Sequence, residues 1–181
     1  VNHLAWITDL WLDGDDAYAS RACEALLEAV VSNEADLASG FYRHVSHDGS
    51  FVPSLLEACF PEPVVAEGIE ECPAMLAPAP AVWSRIFRRD FLVTNGIVFP
   101  ENVGSADDSV FVTEALLRAG RIVQVRDPVY DFRIRDDPGD PSLGQRLTPA
   151  HFREYAASRR AVIGLFERHS RLDYFRICYK S

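Results

Sequence analysis

Residues 12 to 16 read Leu-Asp-Gly-Asp-Asp, and they follow an apolar run, residues 7 to 12, broken only by Thr8 and Asp9. An apolar run feeding into carboxylates is the pattern of a buried strand that ends in an acidic turn. Gly14 allows a tight turn, so Asp13 and Asp15 can point the same way. Two carboxylates one residue apart offer hard oxygen ligands, suited to Mg²⁺ or Mn²⁺. Such a cation is useful chiefly when a polyanion, for example a diphosphate, binds on its open side. The plainer reading is an acidic turn that starts a helix, with Asp16 or Ser20 as its cap.

A second acidic pair, Asp107-Asp108, opens the helical pattern of residues 107 to 119. Acids at a helix N-terminus complement its dipole, so this pair has a structural reason to be there as well. The third charged group lies on the strand predicted over residues 129 to 135. Tyr130, Phe132 and Ile134 share one face of that strand, and Asp131, Arg133 and Arg135 share the other. The charged face either forms salt bridges or lines a phosphate site.

The elements that must position these groups follow from periodicity and punctuation. A helix is predicted over residues 19 to 32, with Cys23, Leu26, Leu27 and Val30 as its apolar stripe. Residues 36 to 45 read as a strand, 46 to 50 as a turn, and Phe51-Val52 as a return strand. A short helix is expected over 53 to 60. A proline-punctuated excursion follows over 61 to 80, with one short helix near 67 to 76. Arg88 to Leu92 opens a short helix that Asn95-Gly96 ends. Residues 97 to 100 read as extended. Gly120 closes the helix of 107 to 119, residues 121 to 125 form a strand, and Asp127-Pro128 marks a turn. Residues 136 to 144 form a loop rich in Pro, Gly and Asp. Thr148-Pro149 caps and starts a helix whose stripe includes Phe152, Tyr155, Val162, Ile163 and Phe166. A last short helix is expected over 171 to 181.

Totals narrow the classes. The chain has 181 residues, 48% hydrophobic and 25% charged, which suits one globular domain with a real core. A net charge of -9 argues against sequence-independent nucleic-acid binding, which needs basic surface. No apolar run approaches the roughly 20 residues that span a bilayer. No basic segment leads into an apolar stretch, so no signal peptide is read. Cys23, Cys59, Cys72 and Cys178 show no C-x-x-C spacing and read as reduced thiols, with a Cys59–Cys72 pairing left open. His44, His47, His151 and His169 are read as solvated groups rather than metal ligands.

Several stretches taken in order resemble the second half of a family 2 glycosyltransferase. They are Leu12-Asp13-Gly14-Asp15-Asp16, Glu34 to Gly40, the run from Val82-Trp83-Ser84-Arg85-Ile86-Phe87 to Leu92, Asn95 to Glu101, Asp107-Asp108-Ser109-Val110-Phe111, and Pro128-Val129-Tyr130-Asp131-Phe132-Arg133-Ile134-Arg135. They are similar to that family's strand-end D-x-D-D, V-W-N-K, E-D-x-x-F and P-V-Y-x-Y-R-x-R stretches. Ser84 and Arg85 stand where the family prefers Asn and Lys, and Asp107 stands where it prefers Glu. The segment from Thr148 onward is similar to transferases of cell-wall or teichoic-acid-type polymers.

The resemblance implies an α/β fold of the GT-A type, a mixed sheet flanked by helices with a helical C-terminal tail. Residues 1 to 147 would be catalytic region and 148 to 181 the helical extension. In the family, the strands that grip the nucleotide base precede the D-x-D, so the fold is expected to be incomplete at the N-terminus. A chain lacking part of its sheet would be completed by that missing half or by an oligomeric partner.

The implied activity is metal-dependent, inverting transfer of a sugar from a nucleoside-diphosphate sugar, UDP-linked by preference. The acceptor would be a hydroxyl of a glycan, cell-wall polymer or lipid-linked molecule. Asp13 and Asp15 would hold Mn²⁺ or Mg²⁺, Asp108 would be the general base, and Asp107 would support it. Asp16, Arg85, Arg133 and Arg135 would contact donor or acceptor. The implied setting is cytoplasmic, with the inner face of the membrane as an open alternative. A competing reading is a non-catalytic relative that binds a glycan or a partner chain. A metal-dependent phosphatase or nuclease fits less well, because it needs more clustered carboxylates and histidines than the sequence places together.

Overall fold

The computed structural model describes residues 8–46, 48–53, 60–76, 81–101, 103, 106–135 and 148–178. Its centre is a parallel pair of strands, β3 (Leu37–Val45) and β7 (Ile122–Arg133). The first half of β3 is apolar or small on both faces, as a strand covered from both sides must be. Leu37 and Phe41 face one core and Ala38 the other.

The remaining strands are antiparallel additions to this pair. Strand β6 (Arg85–Arg88) pairs with β3, and β1 (Thr8–Asp9) pairs with β6. Strand β4 (Phe51–Pro53) returns along the far end of β3. Strands β5 (Val64–Ala66) and β2 (Ala17–Tyr18) pair with opposite ends of β7. The result is a mixed, seven-stranded sheet with the main order β1-β6-β3-β7-β2 among the described residues.

Helix α1 (Ala22–Ser32) covers one face of the sheet. Helices α2 (Arg89–Asn95), α3 (Asp107–Arg118) and α4 (Pro149–Arg168) cover the other, with Phe91, Phe111, Val162 and Phe166 in one core. A short α5 (Phe175–Cys178) follows a 3₁₀ turn over Leu172–Tyr174. Gly96 ends α2 in the left-handed conformation at φ 62°, as the Asn-Gly signal predicts. The Thr148 side chain accepts the His151 amide at the start of α4, with Pro149 at its first position. Among the described residues, no helix is long and apolar enough to cross a membrane.

Several expectations need correction. The buried stripe of α1 is Ala22, Leu26, Ala29 and Val30, while Cys23 and Leu27 are exposed. The stripe turns toward smaller residues because α1 lies close on the sheet. The apolar run before the acidic turn is not a long buried strand: among the described residues β1 has two, Thr8–Asp9, and Leu12 is 52% exposed. Instead of a helix over 67 to 76 there is strand β5 before it and a 3₁₀ turn over Pro73–Leu76. Of the helix expected over 53 to 60, Pro53 instead ends β4 and Phe60 is not helical, and its residues 54 to 59 lie outside the described residues, as do the loop at 136 to 144, His47 and Cys59. Cys23 and Cys72 are free thiols.

The expected turn at Asp127-Pro128 is a bulge inside one continuous strand. The β3–β7 register passes from Ser39 opposite Gln124 to Phe41 opposite Pro128, so residues 125 to 127 stand against Gly40. A bulge is where a sheet tolerates proline, which has no amide proton to give the ladder. Gly40 is required here by space. A Cβ at that position would lie 2.4 Å from one Val129 methyl carbon and 3.1 Å from the Asp127 carbonyl oxygen. Val129 is fully buried and cannot move aside.

One carboxylate fastens the sheet to its helices. Asp36 pairs with Arg88 of β6 and accepts the amide protons of Gly120 at 2.7 Å and Arg121 at 3.3 Å. It thereby joins the starts of β3 and β7 to the end of β6.

Substituting Gly40→Ala should lower stability by about 1–3 kcal/mol, the usual cost of overpacking. Urea denaturation of the two proteins checks this. An unchanged midpoint would show that the bulge opens without cost.

Candidate active site

The C-terminal end of β7 and the turn after β1 are held together by one phenol. The Tyr130 side chain is fully buried, and its ring stacks on Trp83 with centroids 4.2 Å apart and planes 21° from parallel. Its hydroxyl donates to Asp16 Oδ2 at 2.9 Å and accepts the Asp13 amide proton at 3.1 Å. The other Asp16 oxygen accepts the Arg133 amide proton at 2.7 Å. Both oxygens of Asp16 are therefore occupied in holding the turn, and Asp16 is not a free ligand group.

The remaining acids of the turn differ from one another. Asp15 pairs with the Arg135 guanidinium at 2.6 Å. That bond, reinforced by the charges of Arg135 and Arg133, holds its carboxyl below the usual range. Asp13 is shifted the opposite way by burial, then by the charges of Asp16 and Asp15. A carboxylate crowded by two others in a partly dry place favours a cation beside it. Arg133 itself is exposed, and its backbone amide rather than its guanidinium anchors Asp16.

The second acidic pair sits at the N-terminus of α3. Ala106 enters the helix in the left-handed conformation at φ 70°, and its carbonyl accepts the Ser158 hydroxyl of α4 at 2.7 Å. Asp107 Oδ1 accepts the Asp108 amide proton at 3.0 Å, which satisfies one of the open donors of the helix start. Asp107 thus supports Asp108 directly. Asp108 Oδ2 accepts the Val82 amide proton at 3.2 Å. Val82 begins a 3₁₀ turn, Val82–Ser84, that carries the chain into β6.

Burial pushes the Asp108 carboxyl up to about 6, helped by the charges of Asp107 and Asp13 and opposed by the Val82 bond and by Arg85. Val82, which bonds Asp108, precedes Trp83, whose ring stacks on Tyr130, and Tyr130 bonds the Asp13 amide, so the two acidic groups lie within electrostatic reach. The structure therefore gathers Asp13, Asp15, Asp107, Asp108 and Arg135 on one end of the sheet.

Arg85 departs from expectation. It is only 2% exposed, lies on the α3 face of β6, and donates through Nη1 to the Ala81 carbonyl. It cannot reach a bound donor or acceptor from there, so its expected contact role is withdrawn. Strand alternation is the reason. Arg85 shares its face with Phe87, and that face is covered by Phe111 of α3.

Sequence reasoning gave Tyr130 no role at the site, although it lies on an apolar strand face and within the stretch similar to P-V-Y-x-Y-R-x-R. It also missed the aromatic group around Trp83, which Phe132 stacks at 5.9 Å and Tyr42 meets edge-on at 5.0 Å. His44, expected in solvent, is half-buried against Tyr42 and Phe132. Among the described residues, no three His, Cys, Asp or Glu side chains are grouped so as to hold a metal ion by themselves.

No protein-family model matches the chain. It is 26% identical over 145 residues to the uncharacterized glycosyltransferase EpsJ of Bacillus subtilis (strain 168), a match that covers 76% of the chain and 42% of that protein. It superimposes on the crystal structure of S. aureus TarS residues 1–349 in complex with UDP-GlcNAc with a TM-score of 0.65 at 19% identity, covering 94% of this chain and 48% of that one. For the same TarS segment with UDP, the TM-score is 0.63 at 20% identity, covering 94% and 44%. The chain thus has the GT-A-like fold of these glycosyltransferases and is homologous to EpsJ. It spans less than half the length of that curated relative.

Two stability changes follow from this geometry. Tyr130→Phe leaves the Asp13 amide and one Asp16 oxygen without their partner, so it should cost about 1–3 kcal/mol. A chemical denaturation midpoint equal to wild type would show that water replaces the hydroxyl freely. Asp108 has its carboxyl raised from 3.8 to about 6 in the fold. The stability carried by its neutral form is therefore complete below pH 3.8 and lost as pH rises through 6. Asp108→Asn cannot ionise, so near pH 8 it should exceed wild type by about 1–3 kcal/mol, with the gap closing in acid. Melting curves across pH read this, and a constant gap would contradict it.

Proposed function

We propose that this chain supplies the catalytic, acceptor-side part of a glycosyltransferase that moves a sugar from a nucleoside-diphosphate sugar to a hydroxyl. The observation that carries the reading is the placement of Asp108. It is a largely buried carboxylate with a raised pKa at a helix N-terminus, within electrostatic reach of an acidic turn, in a chain homologous to a glycosyltransferase. The UDP and UDP-GlcNAc complexes of TarS, which shares the fold, favour a UDP-linked donor.

The reaction follows from the groups present. Asp108, ionised above about pH 6, takes the proton of an acceptor hydroxyl as that oxygen bonds to the anomeric carbon. The bond from that carbon to the diphosphate oxygen breaks in the same step, so one displacement inverts the configuration. Asp107 keeps Asp108 in place through its amide proton. Tyr130 and the Arg133 amide fix the turn so that Asp13 and Asp15 project beside the diphosphate. Asp13 and Asp15 fit Mn²⁺ or Mg²⁺ because both are oxygen donors and Asp13 is crowded by negative charge with no cationic partner in its shift. Mg²⁺ commonly takes one or two carboxylates and completes its shell with phosphate and water. When bound, it would stabilise the charge of the departing diphosphate. Asp15 would then exchange its bond to Arg135, freeing that guanidinium for phosphate.

The acceptor is a hydroxyl of a glycan, polymer or lipid-linked molecule. The first test is titration calorimetry of the chain with UDP and other nucleoside diphosphates, with and without Mn²⁺. Cation-dependent heat with UDP is expected, and Asp15→Ala should weaken it about tenfold or more. Asp108→Asn should keep that binding and lose at least about a hundredfold in transfer. Normal turnover by Asp108→Asn removes the base assignment. Failure of every nucleoside diphosphate to bind would instead favour a glycan- or protein-binding role.

A further inference from the structure

Arg85 is a cation almost wholly inside the protein, and a buried charge needs a reason. Its guanidinium has no carboxylate in hydrogen-bond contact among the described residues, and its Nε is buried without a hydrogen-bond partner. Burial pulls its pKa down to about 10, and the charge of Asp108 opposes that fall. The group is therefore kept at an electrostatic cost, facing the helix start that carries Asp108.

What lies between the two charges is a single peptide group. Arg85 Nη1 donates to the carbonyl of Ala81. The amide nitrogen of that same peptide bond belongs to Val82, and it donates to Asp108 Oδ2 at 3.2 Å. The order is guanidinium, carbonyl, amide proton, carboxylate. A cation at the oxygen end of an amide draws electron density toward it and makes the N–H a better donor. Hydrogen bonds in such a chain strengthen one another, most of all where water is excluded.

We propose that Arg85 is a positioning residue that orients the Asp108 carboxylate by polarising the Ala81–Val82 peptide between them. The inference rests on the reading of Asp108 as the base, but the device can be tested without turnover. The other charges facing Asp108 are those of Asp107 on its own helix and Asp13 on the acidic turn, and both repel it. Arg85 and the Val82 amide are the two influences that favour its ionised form. Arg85 does this without meeting substrate, which distinguishes it from Arg135 at the open turn.

The test is the amide proton shift of Val82 in an isotope-labelled chain kept free of divalent cations. In wild type it should lie downfield, as an amide held by a carboxylate does. It should move upfield in Asp108→Asn and also in Arg85→Met, although Met does not touch it. Arg85→Lys, which keeps a charge and a donor, should retain most of the downfield position. In the transfer assay, Arg85→Met should lose about tenfold to a hundredfold in kcat, with KM for donor and acceptor little changed, and Arg85→Lys should recover most of that loss. A folded Arg85→Met with the wild-type Val82 shift overturns the proposal, and so does a change confined to KM. If Arg85→Met does not fold, the coupling across the hydrogen bond from the Arg85 guanidinium to the Ala81 carbonyl carbon decides in wild type. Its detection supports the relay and its absence overturns it. Inactive Asp108→Asn with an unresponsive Val82 amide would keep the base and remove the relay. Active Asp108→Asn with a responsive amide would do the reverse.

Discussion

Everything at the site depends on the parallel pairing of β3 with β7 and on the short stretch, Ser39 to Tyr42, over which its register shifts twice. At Gly40 the ladder gives way to a bulge, and β7 resumes with Val129 and Tyr130 both buried. An uninterrupted ladder would set a different alternation beyond Gln124: the register moves by two residues at Gly40 and by one more between Phe41 and Tyr42, and an odd total turns a strand's side chains over. With the bulge, Tyr130 lies under Trp83 and brings its hydroxyl to the acidic turn. The chain arrives there a second time through the Arg133 amide, so two successive parts of one strand hold Asp16.

The charges at this end of the sheet are arranged against their own preference. Asp13 and Asp108 are both harder to ionise than in water, and burial is the largest cause in each case. A protein selected only for stability would separate them or replace one with an amide. Here the neighbouring groups offset part of the cost: Asp107 caps the helix, the Val82 amide bonds Asp108, and Asp16 is fully bonded. The distribution is uneven. Asp15, the acid with a direct guanidinium partner, lies with Asp13 on the exposed turn, while Asp108 is half-buried. That gradient suits a site whose missing positive charge arrives with its ligand.

The sequence made some of this legible and hid the rest for definable reasons. Caps and punctuation read well because they act locally: Gly96 ending α2, Thr148 and Pro149 starting α4, and Asp107 opening α3 were all visible. The acidic turn and the Asp107-Asp108 pair were visible as residues. Which of Asp13, Asp15 and Asp16 is structural was not, because that depends on Tyr130 and Arg133, more than a hundred residues away. Asp127-Pro128 looked like a turn because its residue types are those of a turn; only the facing Gly40 makes it a bulge. Arg85 was expected to meet donor or acceptor because charged residues seldom lie inside. Its burial is set by the alternation of β6 and by the cover of α3. Strand β5 was missed since three residues, Val64–Ala66, are too few for any periodicity to show.

The Trp83–Tyr130 stack has a consequence of an optical kind. Two aromatic chromophores 4.2 Å apart and fixed 21° from parallel form a chiral pair, with Phe132 as a third layer. Near-ultraviolet circular dichroism follows such a pair and is lost when tertiary packing loosens, even where helices persist. Because Tyr130 also bonds the acidic turn, the same band reports whether that turn is seated. The protein thus carries its own spectroscopic label at the junction between its core and its site.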